Sequence, residues 1–176
     1  MNNFTPGRPE PSEYPPYAAV YVDLVAGEQI LSIFAAQLEQ STALLKGVDD
    51  RRASEFAYAP GKWTMKQILG HIVDTERIFA YRAHHIARQD AVMLPGFEQD
   101  DYVAAGSFNQ RTLESLLEEF RTVRQSTIAL FGNLPREAWL RQGNANKYSV
   151  TVRGVAFLAA GHELHHMKIL REKYLP

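Results

Sequence analysis

The segment His162-Glu163-Leu164-His165-His166 carries the clearest chemical signal in the chain. His162 and His166 are four residues apart, so on an α-helix their imidazoles share one face, one turn apart, and can grip one metal ion. The segment also fits H-E-x-x-H, the pattern of zinc metalloproteases. Those enzymes take their third ligand downstream. Only ten residues follow His166, and the single acidic one among them, Glu172, lies about a turn and a half further along the same helix. It cannot close around the metal, so the protease reading fails on geometry. A di-iron carboxylate bundle needs Glu-x-x-His on each of two helices. Glu163 and His166 form one such motif, and the chain has no second.

A third ligand can come from His71, in the apolar stretch Leu69-Gly70-His71-Ile72. An unpaired imidazole is costly there, and a metal would satisfy it. Gly70 costs about 1 kcal/mol of helix propensity relative to Ala. With Gly161 likewise beside His162, the two glycines are expected to let the two helices approach closely. His85 lies on nearly the same face as His71 but roughly 21 Å along the helix, and His84 points elsewhere. His165, about 60° from His162, remains a fallback ligand or an outer hydrogen-bond donor.

Three neutral imidazoles leave the full charge on an ion and keep further positions open, as in catalytic zinc sites. Such an ion lowers the pKa of water or takes a thiol as thiolate. The chain has no cysteine, so any thiol must arrive as a co-substrate. Glu163, about 100° round from His162, can act as the base, as the Glu of H-E-x-x-H does; a solvated surface glutamate is the competing reading. Arg77 and Arg82 can anchor an anionic substrate. Arg82 is the better placed, within about 20° of the His71 face, with a structural ion pair as its alternative. Asp74 or Thr75 can orient a ligand ring from behind.

The elements that must position these groups read as four long helices. The first spans residues 20 to about 45, followed by a loop over 47–61. The second starts at Thr64, where Gln67 completes a capping box and Trp63 with Ile68 a hydrophobic staple, and runs to about residue 88. A long connection over 89–108, containing Pro95-Gly96, is expected to line a pocket or a dimer surface. Asn109 is expected to cap the third helix, which ends at Gly132 and Pro135, and Thr151 the fourth. No convincing strand is evident. The prediction is an all-α four-helix bundle over 20–176 with one long crossover between helices two and three. It is preceded by a proline-rich arm over 1–19 that either wanders in solvent or lies across the domain; five of the nine prolines fall in the first sixteen residues. Phe79, Tyr81, Phe157 and Trp63, at helical spacing, read as core packing rather than a substrate box.

Composition narrows the partners. The 176 residues suit one domain. A formal net charge of -1 gives no general attraction to phosphate, which argues against nucleic acid. No apolar run approaches the roughly 18 residues of a membrane span. The N-terminus lacks a signal-peptide pattern, so a cytoplasmic location is expected.

Trp63-Thr64-Met65-Lys66-Gln67-Ile68-Leu69-Gly70-His71-Ile72, then Asp74-Thr75-Glu76-Arg77, and finally Gly161-His162-Glu163-Leu164-His165-His166 resemble the DinB-like (YfiT-like) family of metal-dependent enzymes, over roughly 20–174. The resemblance implies up-down-down-up topology, and a divalent ion, nickel or zinc, held by His71, His162 and His166. It also implies a homodimer. Some relatives are thiol transferases or thiol-dependent isomerases using a low-molecular-weight thiol. The expectation is a metal-dependent transferase or hydrolase acting on a small molecule; the alternative is a non-catalytic metal- or ligand-binding bundle.

Overall fold

The computed structural model describes residues 4–175. The proline-rich segment lies across the domain. It forms 3-10 turns at Pro11–Glu13 and Pro16–Ala18 and leads into helix α1, Ala19–Val22. Arg153 holds it by pairing with Glu13 and donating to the Pro6 carbonyl at 2.9 Å. Tyr14 and Ala18 are buried in the core.

The continuous first helix expected over 20–45 is broken. α1 stops at Val22, and α2 runs Ile30–Leu45. Arg8 takes the carbonyls of Val22 (2.8 Å) and Val25 (2.6 Å), and Gly27 turns the chain at φ +85, a conformation open mainly to glycine. A short helix, α3, Asp50–Glu55, occupies the expected loop. It is capped by Asp49, whose side chain accepts from the Arg52 amide at 2.8 Å.

α4, Met65–Ala87, starts where the sequence predicts, with the Thr64/Gln67 box closed in both directions. The long connection carries α5, Gln99–Ala105, and a 3-10 turn, Phe108–Gln110. The cap of α6, Leu113–Gly132, is Thr112, not Asn109. Asn109 instead accepts from the Thr64 hydroxyl at 2.6 Å, tying the starts of α4 and α6 together.

Strands β1, Gln142–Ala145, and β2, Tyr148–Thr151, form an antiparallel hairpin that corrects the strand-free expectation. Each is four residues long and mostly polar, too short for a visible alternation. Their turn uses Asn146 and Lys147, both at positive φ, the geometry of a two-residue hairpin turn without its usual glycine. α7, Val152–Ile169, follows directly, capped by Thr151, and ends in a π-helical turn, Leu170–Tyr174.

α4 packs on α6 and α7, and α2 closes the bundle against the same two helices. Two apolar clusters fill it. One gathers Phe34, Phe131, Trp139 and Phe157; the other Leu45, Leu69, Phe120 and Leu170. Buried polar side chains also lie in the interior: Gln37, Ser41, His71, Glu76, Arg124, His162 and Glu163. The two glycines beside the histidines do not serve the α4–α7 contact as expected. Gly70 admits the Phe108 ring, and Gly161 admits the Tyr21 carbonyl. Each makes room for a third element.

Candidate metal centre

α4 and α7 bring His71, His162 and His166 together. His162 Nε2 lies 2.9 Å from His71 Nε2 and 3.1 Å from His166 Nε2, and the three rings offer one nitrogen each within 4.8 Å of one another. Nitrogens bound at ~2.0–2.1 Å to one ion stand about 3 Å apart, so the two short edges fit a shared cation. The donor chemistry fits as well. A neutral ring nitrogen either donates or accepts, so His162 Nε2 cannot satisfy two facing nitrogens by hydrogen bonds alone. A cation takes all three lone pairs.

Burial keeps the rings neutral. It pushes His71 down to about 4 and His166 to about 3, with the neighbouring histidines adding to the latter. His162 is held well below its ordinary value by burial, then by His166 and His71. Around the rings stand Trp63, its ring 4.8 Å from His71, with Phe79 and Tyr21 edge-on to His162. His165 packs edge-on to Tyr21 at 5.2 Å and is not among the three converging nitrogens. Of the two candidates for orienting His71, Thr75 is in place, its Oγ1 3.4 Å from Nδ1. Asp74 faces Arg77.

One residue along from His162, Glu163 enters a different cluster. Its Oε1 accepts from Ser41 Oγ at 2.6 Å. Its Oε2 lies 2.6 Å from Arg124 Nη2, a close ion pair without the alignment of a good hydrogen bond. None of its described contacts is with the three rings, so the base expected from H-E-x-x-H is engaged elsewhere. Burial raises its pKa, against the pull of Arg124 and Ser41. Arg124 is wholly buried. It grips Glu76 through two hydrogen bonds of 2.7 and 2.8 Å, reaches Gln37 at 3.2 Å, and stacks over Phe34. Burial alone would lower its pKa; Glu163 and Glu76 reverse that and raise it. Sequence reasoning missed this residue. Its signal was position: Arg124 falls on the apolar face of α6, four residues after Phe120 and three before the buried Thr127.

The sequence over residues 33–170 matches the family described as the DinB superfamily. The chain belongs to the DinB superfamily. Among solved structures, YfiT from Bacillus subtilis, described as a probable metal-dependent hydrolase with an unusual four-helix bundle topology, is 17% identical. The match covers 97% of each chain with a TM-score of 0.68. A mycothiol-dependent maleylpyruvate isomerase is 12% identical with a TM-score of 0.67, over 83% of this chain and 61% of that one. At these identities the likeness is one of fold. A search of curated proteins finds no match.

In this DinB chain the second candidate, Arg82, does not stand free for a substrate. It is buried and donates to the Pro95 carbonyl at 2.7 Å, pinning the long connection to α4. His166, the least buried of the three, forms part of the wall of a cleft of about 350 Å³ that also includes Tyr58, Lys62, Trp63, Gln99 and Tyr174. A larger hollow of about 720 Å³, between Leu31 and Ile128, contains none of the histidines.

Proposed function

We propose that this DinB-superfamily protein is a metal-dependent enzyme. In this reading His71, His162 and His166 hold a divalent ion, nickel or zinc, that activates a thiol or water for transfer to, or hydrolysis of, a small electrophilic molecule. The convergence of three neutral ring nitrogens from two helices, two of them on buried rings and one on the half-buried His166, carries the reading. Such an ion, when bound, supplies Lewis acidity to a coordinated thiol or water. The protein's own residues do the rest. The imidazoles leave the ion's charge unneutralised, Thr75 holds the His71 ring from behind, and Trp63 and Phe79 limit water around the rings. Glu163 braces α7 against α2 and α6 instead of moving a proton, and Arg82 holds the crossover instead of a substrate.

A thiol, if used, is a low-molecular-weight co-substrate, since the chain has no cysteine. The name of the mycothiol-dependent relative supports that branch, and that of YfiT the hydrolytic one. The up-down-down-up run, with its crossover between α4 and α6, is supported by the order of contacts. Gln37 and Ser41 meet Ala160 and Glu163 in ascending order, as Thr64 and Glu76 meet Asn109 and Arg124. His71 and Phe79 meet His166 and His162 in descending order. A cytoplasmic homodimer without nucleic-acid partners completes the proposal. No helix among the described residues is long and apolar enough to cross a membrane.

Metal analysis after incubation with nickel or zinc tests the site, with about one ion per chain expected. A screen of electrophiles with and without small thiols then tests the chemistry. Metal that stays far below one per chain, or turnover that survives His162→Ala after metal loading is lost, would sink the reading.

A further inference from the structure

The cleft beside His166 has a built character of its own. Gly61, at φ +74, turns the chain just before Lys62 and Trp63. The Tyr174 hydroxyl donates to the Trp63 carbonyl at 2.5 Å, and Tyr58 packs edge-on to Tyr174 at 5.5 Å. The aromatic walls are therefore fixed by a hydrogen bond and by ring packing, and fixed aromatic walls favour a flat apolar guest.

Charge decides what that guest carries. Two basic side chains beside the cleft are engaged: Lys66, at the start of α4, with Asp50 and the Arg111 carbonyl, and Arg52 with the Tyr174 carbonyl. Lys62, exposed in the cleft wall, has no carboxylate partner among the described residues. Asp100 also lines the cleft, in the first turn of α5. It offsets part of the field, so a modest preference is expected rather than a large one.

We propose that this cleft binds small organic anions with a planar apolar body, and that Lys62 anchors the negative group. The inference rests on the proposed function only for what binding achieves, namely presenting the guest to the His166 side of the three rings. It replaces Arg82 with Lys62 as the cation that meets an anionic substrate.

The probes are trans-cinnamate and its uncharged amide, titrated into zinc-loaded and chelator-treated protein and followed by the indole N–H resonances of the two tryptophans. Trp63 lines the cleft. Trp139 is buried against Phe131 and serves as an internal control. Cinnamate is expected to shift the Trp63 signal, leave that of Trp139 in place, and bind about fivefold tighter than the amide, the scale of one exposed ion pair. Lys62→Gln should equalise the two probes without changing zinc content, and Lys62→Arg should keep the difference. Equal binding in the unaltered protein, or a preference that survives Lys62→Gln, overturns the proposal. So does a preference that vanishes with zinc, because the ion would then be the anchor. A protein that takes up no zinc yet keeps the Lys62-dependent preference would defeat the proposed function and support the cleft.

Discussion

His162 and Glu163 are adjacent in the chain and both buried, yet they enter polar clusters of opposite kinds. Around Arg124, every charge has an answer: a guanidinium held between two carboxylates, with Ser41, Gln37 and the Phe34 ring filling the remaining directions. Around His162, three rings present nitrogens to one another that they cannot jointly satisfy. A cluster whose charges answer one another ties helices together. An incomplete one is where a ligand from outside has something to gain.

The largest expected effect falls on the closed cluster. Arg124→Ala leaves two buried carboxylates unanswered and should destabilise by about 3–5 kcal/mol, read as a lower urea midpoint. An unchanged midpoint would erase the distinction drawn here. Next, His162→Ala should reduce zinc or nickel affinity by more than ~100-fold and abolish the rise in melting temperature that added metal gives the unaltered protein. The same rise persisting would mean the ion binds elsewhere.

Third comes pH. Because burial depresses His71 and His166, the unfolded chain takes up protons between about 6.5 and 4 that the folded rings refuse. Stability of the metal-free protein is therefore level above about pH 6.5 and falls below it. Glu163, whose pKa is raised, contributes in the opposite sense. Urea midpoints at pH 7.5, 6 and 5 should show the decline in the metal-free protein, and His71→Leu should make it shallower, with His162 and His166 still contributing. A slope untouched by that change would assign it to other groups. The smallest effect is expected at Thr75. Thr75→Val should weaken metal binding by about tenfold and Thr75→Ser should restore it, measured by competition with a chromogenic chelator. Equal affinities would reduce the 3.4 Å contact to packing.

Much of this was legible from residues alone. The i,i+4 pair is legible because helical periodicity fixes which side chains share a face, and the strong Thr64 start of α4 with the apolar setting of His71 makes that ring the candidate to join it. What periodicity cannot give is which neighbour that face meets. Glu163 and Arg82 have the right angles for chemistry, and packing engages one with Arg124 and the other with Pro95. The break at Gly27 was hidden because Arg8, far back in the sequence, takes the carbonyls that end α1. The hairpin was hidden because four-residue polar strands carry little pattern. Arg124 sat in plain view on an apolar face, but its two carboxylate partners come from other helices.

The carbonyl of Tyr21 resting against Gly161 reaches further than a packing detail. A methyl group at that notch would overlap the carbonyl, so it sets how far α7 can turn about its own axis, and with it the aim of the very next side chain. Anyone transplanting the histidine pair onto a different scaffold would carry over two rings and leave behind the bearing on which they are trained.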